Sequence, residues 1–334
     1  MEPKRFLIIG CGSIGNRHIG NLMANGAGKI LAFDIRADRL CEVESKYDIE
    51  ALSNLEDAWE QQPDVALITA TTNTHVPLAL QAAGHGCHLF IEKPLSDRLD
   101  GVDELFEAIR RRNLVTLVGC NMRFHPGLKT IKKLLDEGAI GCVVAARVEV
   151  GQYLPDWHPW EDYRQGYSSC RDLGGGVILD AVHELDYIRW MLGEVESVSC
   201  FAGHLSHLQI ETEDTAAILL RFNSGAIGEI HMDYVQRTYS RSCHIIGDEG
   251  TIRWDYSSGE VRYYSAATRK WQIFSNPSGW EPNQMYLDEM KHFLRCLAGE
   301  EKPAQDAVEA ARILKVALAA KASAETQQVV KIRD

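Results

Sequence analysis

The sequence predicts an α/β protein, a doubly wound parallel sheet followed by an α+β domain with a large, mostly antiparallel sheet. Three observations lead there. Over the first 121 residues, short apolar runs alternate with amphipathic segments through short links, the pattern of successive βα units. A glycine-rich turn joins the first run to the first helical segment. Beyond Glu196, strand-like runs follow one another with turn residues between them. The expected division is a first domain over 1–121 and a second over 122–334.

Arg5–Ile9 is the first apolar run, and Gly10-Cys11-Gly12-Ser13-Ile14-Gly15 follows at once. Ile14, Ile19, Leu22 and Met23 suit a helix over 13–25, and Lys29–Phe33 is a second strand ending on Asp34. A G-x-G-x-x-G motif between a strand and a helix, with an acidic residue closing the next strand, is the context of a dinucleotide fingerprint. Gly10 permits the tight turn, Gly12 lets a pyrophosphate approach the backbone, and Gly15 lets helix and strand pack. The first-turn N–H groups around Ser13 and Ile14 then face the phosphates. Asp34 can accept hydrogen bonds from ribose hydroxyls and would repel a 2′-phosphate, which favours NAD; Arg36 and Arg39 follow closely and keep NADP open.

The alternation continues through helices over 40–46 and Leu55–Glu60, a buried strand over 65–70, a helix from His75 to residue 83 and a strand over 87–91. The strand over 65–70 runs out through Thr71 and Asn73, so small and polar residues meet the crevice where open α/β sheets bind ligands. The strand over 87–91 runs into Glu92-Lys93-Pro94, where the proline holds Lys93 in an extended conformation at the same crevice. A helix over 97–112 and a strand over 114–119 complete the sheet. Asn121-Met122-Arg123-Phe124-His125-Pro126 is expected near the edge that carries Lys93.

In the second half, a helix over 128–135 and a strand over 143–150 precede a long segment, 152–173, dense in aromatic and polar groups. Such a segment is either a binding loop or an Ω-loop held by its own aromatics. The rings of Trp157, Trp160 and Tyr163 beside His158 suit a sugar-like polyol, and Arg164 suits a carboxylate or phosphate. Gly174-Gly175-Gly176 opens a helix running to about residue 192, and close backbone approach to a ligand would explain three glycines there. Asp180 and His183 are three apart and so share a face of that helix. Strands are expected over 197–202, Thr215–Phe222, 226–234, 241–246, 251–256, 261–264 and 271–274, then helices over 286–297 and 308–322. A broad sheet with one open face is a common dimer surface.

Composition narrows the classes. The formal charge of −12 argues against a nucleic-acid partner, and the one compact basic run, Arg110-Arg111-Arg112, closes a helix where cations suit the dipole. Nine cysteines without a C-x-x-C pair point to reduced thiols in a cytoplasmic protein rather than disulfides or zinc, so no metal is expected. The run before Gly10 is too short for a secretory h-region, and no apolar stretch reaches the roughly 18 residues a membrane span needs.

Gly10 to Gly15, Glu92-Lys93-Pro94 in its strand context, the run 121–126, and 174–183 with Leu185-Asp186 together resemble the Gfo/Idh/MocA oxidoreductase family, the group of glucose–fructose oxidoreductase and inositol dehydrogenase. The resemblance covers nearly the whole chain. It implies a Rossmann domain over 1–121 and a substrate-binding and oligomerisation domain over 122–334. The implied activity is hydride transfer between NAD(P) and a secondary hydroxyl of a sugar, sugar acid, inositol or nucleotide-sugar. In the family the lysine of Glu-Lys-Pro lies beside nicotinamide and substrate, which makes Lys93 a hydrogen-bond donor to the reacting oxygen. The helix histidine makes His183 the general base, and Asp180 an orienting residue. Many members separate that Asp and His by three residues; here two separate them, and Asp186 stands as an alternative partner for His183. The expected cofactor set adds Thr71, Asn73, His75 and Glu92 to the fingerprint, Asp34, Arg36 and Lys93. The expected substrate set is Asn121, Arg123, His125, Trp157, His158, Trp160, Tyr163 and Arg164. Lys93 and His183 would equally serve a redox-neutral, NAD-dependent glycosidase or sugar-rearranging reaction through transient oxidation. A non-catalytic dinucleotide sensor on this fold is the third alternative. A homodimer or homotetramer through the second sheet is expected.

Overall fold

Phe6, Leu7, Ile8 and Ile9 are all buried, as are Val65, Ala66, Leu67 and Ile68. Consecutive rather than alternating burial means that both faces of a sheet are covered, the signature of a parallel sheet between helical layers. The computed structural model, which describes residues 4–332, builds that sheet from β1 (Arg5–Ile9), α1 (Ser13–Ala24), β2 (Lys29–Phe33), α2 (Ala37–Tyr47), β3 (Glu50–Leu52), α3 (Leu55–Glu60), β4 (Val65–Ile68), α4 (His75–Gly84), β5 (His88–Glu92), α5 (Val102–Arg112) and β6 (Thr116–Gly119). The strand order is β3-β2-β1-β4-β5-β6, and every pairing is parallel. The order reverses between β1 and β4, where doubly wound sheets open a ligand crevice. Ile9 pairs with Ile68 and Ile68 with Ile91, so Gly10, Thr69 and Glu92 emerge side by side at the carboxyl ends of three adjacent strands.

The helix expected over 97–112 begins only at Val102, because Gly101 stands at φ 78°, in left-handed space that ends regular helix. The three residues of β3 are too few to show a periodicity.

The second part of the chain contains α6 (Pro126–Asp136), β7 (Val143–Gly151), α7 (Val177–Asp180), α8 (Val182–Leu192), β8 (Val195–Gly203), β9 (Thr215–Phe222), β10 (Ile227–Asp233), β11 (Ser240–Gly247), β12 (Gly250–Asp255), β13 (Glu260–Ser265) and β14 (Lys270–Ser275). Then come α9 (Asn283–Leu297), α10 (Ala307–Thr326) and β15 (Val330–Lys331). Its sheet runs β14-β13-β12-β11-β7-β10-β9-β8-β15, and the neighbours are antiparallel except β7 with β10. Along β9 every second residue is buried, so one face carries Ala216, Ile218, Leu220 and Phe222 into the core, and α6, α7 and α8 pack on this sheet.

Two compact units result: the chain up to Asn121 together with Pro282–Leu314, and Met122–Glu281 together with the chain from Lys315. A single continuous second segment over 122–334 therefore needs correction. Met290 and Phe293 of α9 are fully buried with Phe6, Ile8 and Phe90, and Ala307, Ala310 and Ala311 are buried with Leu89, Ile91 and Val118. These residues complete the two helical layers of the first sheet, which draws their segment back to it. Among the described residues no helix is long and apolar enough to cross a membrane.

Candidate active site

In the first unit the glycines have distinct causes. Gly10 has φ +103°, and a Cβ there would lie 2.6 Å from the Ala70 nitrogen; one at Gly15 would lie 1.9 Å from the Gly10 carbonyl oxygen. Both are therefore required by the packing of turn, helix and strand. At Gly12 a Cβ would meet only the Arg39 guanidinium, no closer than 3.4 Å, and φ is −65°, so the chain itself does not demand glycine there. The Thr69 hydroxyl donates to the Gly10 carbonyl at 2.6 Å and locks the turn to the end of β4. Ser13 is exposed and Ile14 half-buried at the start of α1.

Asp34 is buried. Its carboxylate accepts from the Cys11 N–H at 2.7 Å and from the Arg36 N–H at 2.8 Å, with Arg39 at 3.8 Å. The Arg36 guanidinium is bound to Asp38. The Thr71 hydroxyl donates to Asn73 Oδ1 at 2.8 Å, which shapes the loop after β4.

His75 is 1% exposed. Its Nδ1 lies 2.8 Å from the Pro94 carbonyl and its Nε2 3.1 Å from that of Ala70. Burial holds its pKa below the ordinary histidine value. Glu92 is 6% exposed; Oε1 is 2.7 Å from His18 Nε2 and Oε2 accepts from the Lys93 N–H at 3.1 Å. Lys93 is half-buried, and the Lys93–Pro94 peptide is cis. Both His75 and Glu92 are thus tied to protein groups, whatever else they touch.

In the second unit Asp180 is the hub. It is 5% exposed, and its carboxylate accepts from the hydroxyls of Tyr167 at 2.5 Å, Ser168 at 2.7 Å and Tyr234 at 3.1 Å. Burial and the Asp180 charge push the Tyr234 phenol well above its ordinary pKa, so it stays a donor. The Trp157 ring stands edge-on to Tyr234 at 5.4 Å, and its indole N–H is buried with no hydrogen-bond partner among the described residues. The structure thus brings Asp180 and Trp157 together around Tyr234. His158, Trp160 and Arg164 are exposed and Tyr163 is half-buried; Arg164 is paired to Asp162 at 2.7 Å.

Three expectations are corrected here. The helix expected from the glycines to residue 192 is broken at Ala181 into α7 and α8, so Asp180 closes one helix and His183, 9% exposed, lies in the first turn of the next. The glycines are explained by the protein rather than by a ligand: a Cβ at Gly175 would lie 2.2 Å from the Tyr167 carbonyl, and one at Gly176 2.4 Å from Glu213 Oε1. Asp186 binds Arg123 through a buried bidentate pair, at 2.6 and 2.9 Å, so both are committed to the core. Asn121 is buried at the end of the first unit. His125 is wholly buried among Trp254, Tyr256 and Trp280, and its Nδ1 caps α6 by accepting from the Gly127 N–H at 3.0 Å. Ser168, Tyr234 and His18 belong to these networks although nothing singled them out in the sequence, where a lone buried histidine or tyrosine reads as core; Tyr167 stands out there only as one aromatic of the segment 152–173. Among the described residues no cluster of His, Cys, Asp and Glu could hold a metal ion.

An uncapped helix behind a glycine turn, an acidic residue closing the next strand and a lysine two strands away define a nucleotide-binding α/β enzyme. Residues 4–120 match the oxidoreductase family with an NAD-binding Rossmann fold, and residues 128–253 match the GFO/IDH/MocA C-terminal domain. The chain is similar to myo-inositol 2-dehydrogenase of Thermotoga maritima, 30% identical over 99% of each chain. It is also similar to scyllo-inositol 2-dehydrogenase (NAD(+)) of Bacillus subtilis, 26% identical over 95% of this chain and 92% of that one. Its fold matches levoglucosan dehydrogenase in complex with NADH and levoglucosan, with a TM-score of 0.89 at 20% identity, covering 99% of this chain and 100% of that one. The protein belongs to the Gfo/Idh/MocA family and is an NAD-dependent oxidoreductase.

The His125 environment yields a stability test. Burial and the nearby Arg241 hold its pKa at about 4, below the ordinary 6.5. Between pH 6.5 and about 4 the unfolded chain binds a proton that the folded chain refuses, so stability falls as pH drops through that window and is unaffected above it. His125→Asn keeps a cap for α6 and removes the titration. Urea unfolding across the window is expected to show a shallower pH slope for the variant; an unchanged slope contradicts the assignment.

Proposed function

We propose that the protein is a carbohydrate dehydrogenase that oxidises a secondary hydroxyl of a sugar, sugar acid, inositol or nucleotide-sugar, with Lys93 and His183 acting at the reacting oxygen. The observation that carries this reading is the end of β5, which delivers Lys93 at the same edge as the glycine turn of β1, one strand beyond the switch point. The inositol and levoglucosan dehydrogenases to which the chain is similar support the substrate class.

The residues present fit NAD. Helix α1 opens at Gly12 with no side-chain cap and no acidic residue in its first turn, which leaves its N–H groups for phosphate oxygens. Glycine at position 12, which the fold does not require, is what close approach of a pyrophosphate requires. Asp34 offers carboxylate lone pairs to ribose hydroxyls, and Arg36 is occupied by Asp38, which together favour NAD over NADP. Ser13, Ile14, Thr71 and Asn73 line the same strand ends. When bound, the nicotinamide supplies the hydride acceptor.

His183 takes the hydroxyl proton, work for which imidazole has a suitable pKa. Lys93 donates to the oxygen as it gains alkoxide character. Asp180, which accepts from three hydroxyls, orients the segment around it. Trp157 and the exposed Trp160, with Tyr163, His158 and Arg164, offer rings and polar groups to a polyol. On this reading the first unit holds the cofactor, and the second supplies substrate contacts and the subunit surface.

Assembly runs through the open face of the nine-stranded sheet, where Leu219 (52%), Ile227 (44%) and Ile273 (56%) are exposed beside the Arg147–Glu229 pair. A second copy presents the same mixture of apolar rows and both charges, which suits an isologous contact. All nine cysteines are free thiols, which supports a reducing, cytoplasmic setting.

Purified protein incubated with NAD or NADP and a panel of myo-inositol, scyllo-inositol, levoglucosan, sugar acids and nucleotide-sugars is expected to form NADH with at least one member, and faster than NADPH. Lys93→Met and His183→Ala are expected to lose turnover by about 100-fold or more while still binding NADH. Full activity in both variants rejects their roles, and substrate conversion without net NADH points to the redox-neutral reaction. Light scattering is expected to give a dimer or tetramer mass that Leu219→Asp with Ile273→Asp lowers; a monomer in the parent protein rejects the sheet interface.

A further inference from the structure

We infer that two buried histidines, His18 and His75, are positioning residues for Lys93, acting through the Glu92 carboxylate and the Pro94 carbonyl. The inference rests on the reading of Lys93 as the lysine at the reacting oxygen, and it moves Glu92 and His75 from the cofactor set to the support of that lysine.

A carboxylate as buried as Glu92 is costly unless paired and hydrogen-bonded. Both of its oxygens are accounted for, one by His18 at 2.7 Å and the other by the Lys93 N–H at 3.1 Å. Its pKa lies below the ordinary carboxylate range, against the opposing effect of burial, chiefly through His18, so it stays an acceptor. The side chain has little freedom: a Cβ at Gly119 on the neighbouring strand would come within 3.0 Å of Glu92 Oε1.

His18 is itself immobilised. It is 0% exposed, edge-on to Phe90 at 4.8 Å and to Tyr286 at 6.2 Å, and Arg17 lies 4.5 Å above the Tyr286 ring. It sits on α1, the helix that opens on the glycine turn, so one rigid element carries both the fingerprint and the clamp on Glu92. From the other side, His75 opens α4 with Nδ1 2.8 Å from the Pro94 carbonyl and Nε2 3.1 Å from that of Ala70; the one N–H of the neutral ring, on Nδ1 at the shorter contact, donates to Pro94. Lys93 is thus fixed at its own N–H and at the carbonyl of the following residue.

The backbone direction at Lys93 decides where a long, flexible stem delivers its ammonium. A displacement of about 1 Å at a reacting group costs roughly 100-fold in rate. Removing the clamp is therefore a kcat effect. It leaves the N–H groups of α1 and the Asp34 carboxylate, and hence NAD affinity, in place.

The test uses the full-length protein with NAD and the panel polyol that gives the fastest NADH formation. His18→Leu and His75→Leu are expected to lower kcat by roughly 10- to 100-fold with the NADH dissociation constant changed by less than about threefold. His18→Gln, whose amide N–H still donates to Glu92, recovers kcat to within about tenfold of the parent. In the Lys93→Met background, His18→Leu costs no further kcat. Should His18→Leu not fold, as judged by NADH binding, Glu92→Gln carries the test with the same expected kcat loss at unchanged affinity. His18→Leu with parental kcat overturns the inference, as does Glu92→Gln that weakens NADH binding while kcat holds. If Lys93→Met is inactive while His18→Leu and Glu92→Gln are fully active, this inference fails alone. A fully active Lys93→Met removes the reading on which it stands.

Discussion

A buried carboxylate between a buried histidine and a backbone N–H is the constraint around which the first unit is arranged. Glu92 ends β5, and its two oxygens reach His18 on α1 and the amide of Lys93. Nothing there can move singly. His18 is boxed by Phe90 and Tyr286, Phe90 is packed against Phe293 of α9 at 5.5 Å, and α1 is bound to the strand ends by a turn in which Gly10 and Gly15 admit no side chain. The return of Pro282–Leu314 to this unit therefore does more than cover a sheet, because it closes the wall behind the histidine.

The second unit solves a similar problem with hydroxyls. Asp180 accepts from the hydroxyls of Tyr167, Ser168 and Tyr234. These hydrogen bonds fix the loop that supplies two of the three hydroxyls. The close packing of Gly175 and Gly176 against Tyr167 and Glu213 holds the same loop from behind. The aromatic segment 152–173 is thereby tethered at its carboxyl end, while Trp160 remains 75% exposed.

Much of this was readable from the residues alone. Strands buried on both faces read as continuous apolar runs, so β1, β2, β4 and β5 were evident within a residue or two, and the glycine turn needed only its strand and helix context. The misses share a physical origin in tertiary contact. Two- and three-residue strands such as β15 and β3 have no period to detect. The break at Ala181 lies in a segment whose composition suits one helix, and it separates Asp180 from His183 where spacing alone put them on one face. Arg123 looked available to a ligand and Asp186 to His183, but the two pair with each other in the core. His18 carries no sequence signal that distinguishes it from a packed residue, and only the position of Glu92 gives it a role.

The central claim is that a carbon-bound hydrogen of a polyol passes to the nicotinamide. The most direct test follows that hydrogen: myo-inositol deuterated at its ring carbons is incubated with the protein and NAD, and the reduced cofactor is analysed by mass spectrometry. The account predicts one deuterium in each NADH formed, and a slower turnover than with unlabelled inositol if the transfer limits the rate. Unlabelled NADH from the deuterated inositol would contradict it, as would the absence of any reduced cofactor from deuterated and unlabelled members of the whole polyol panel.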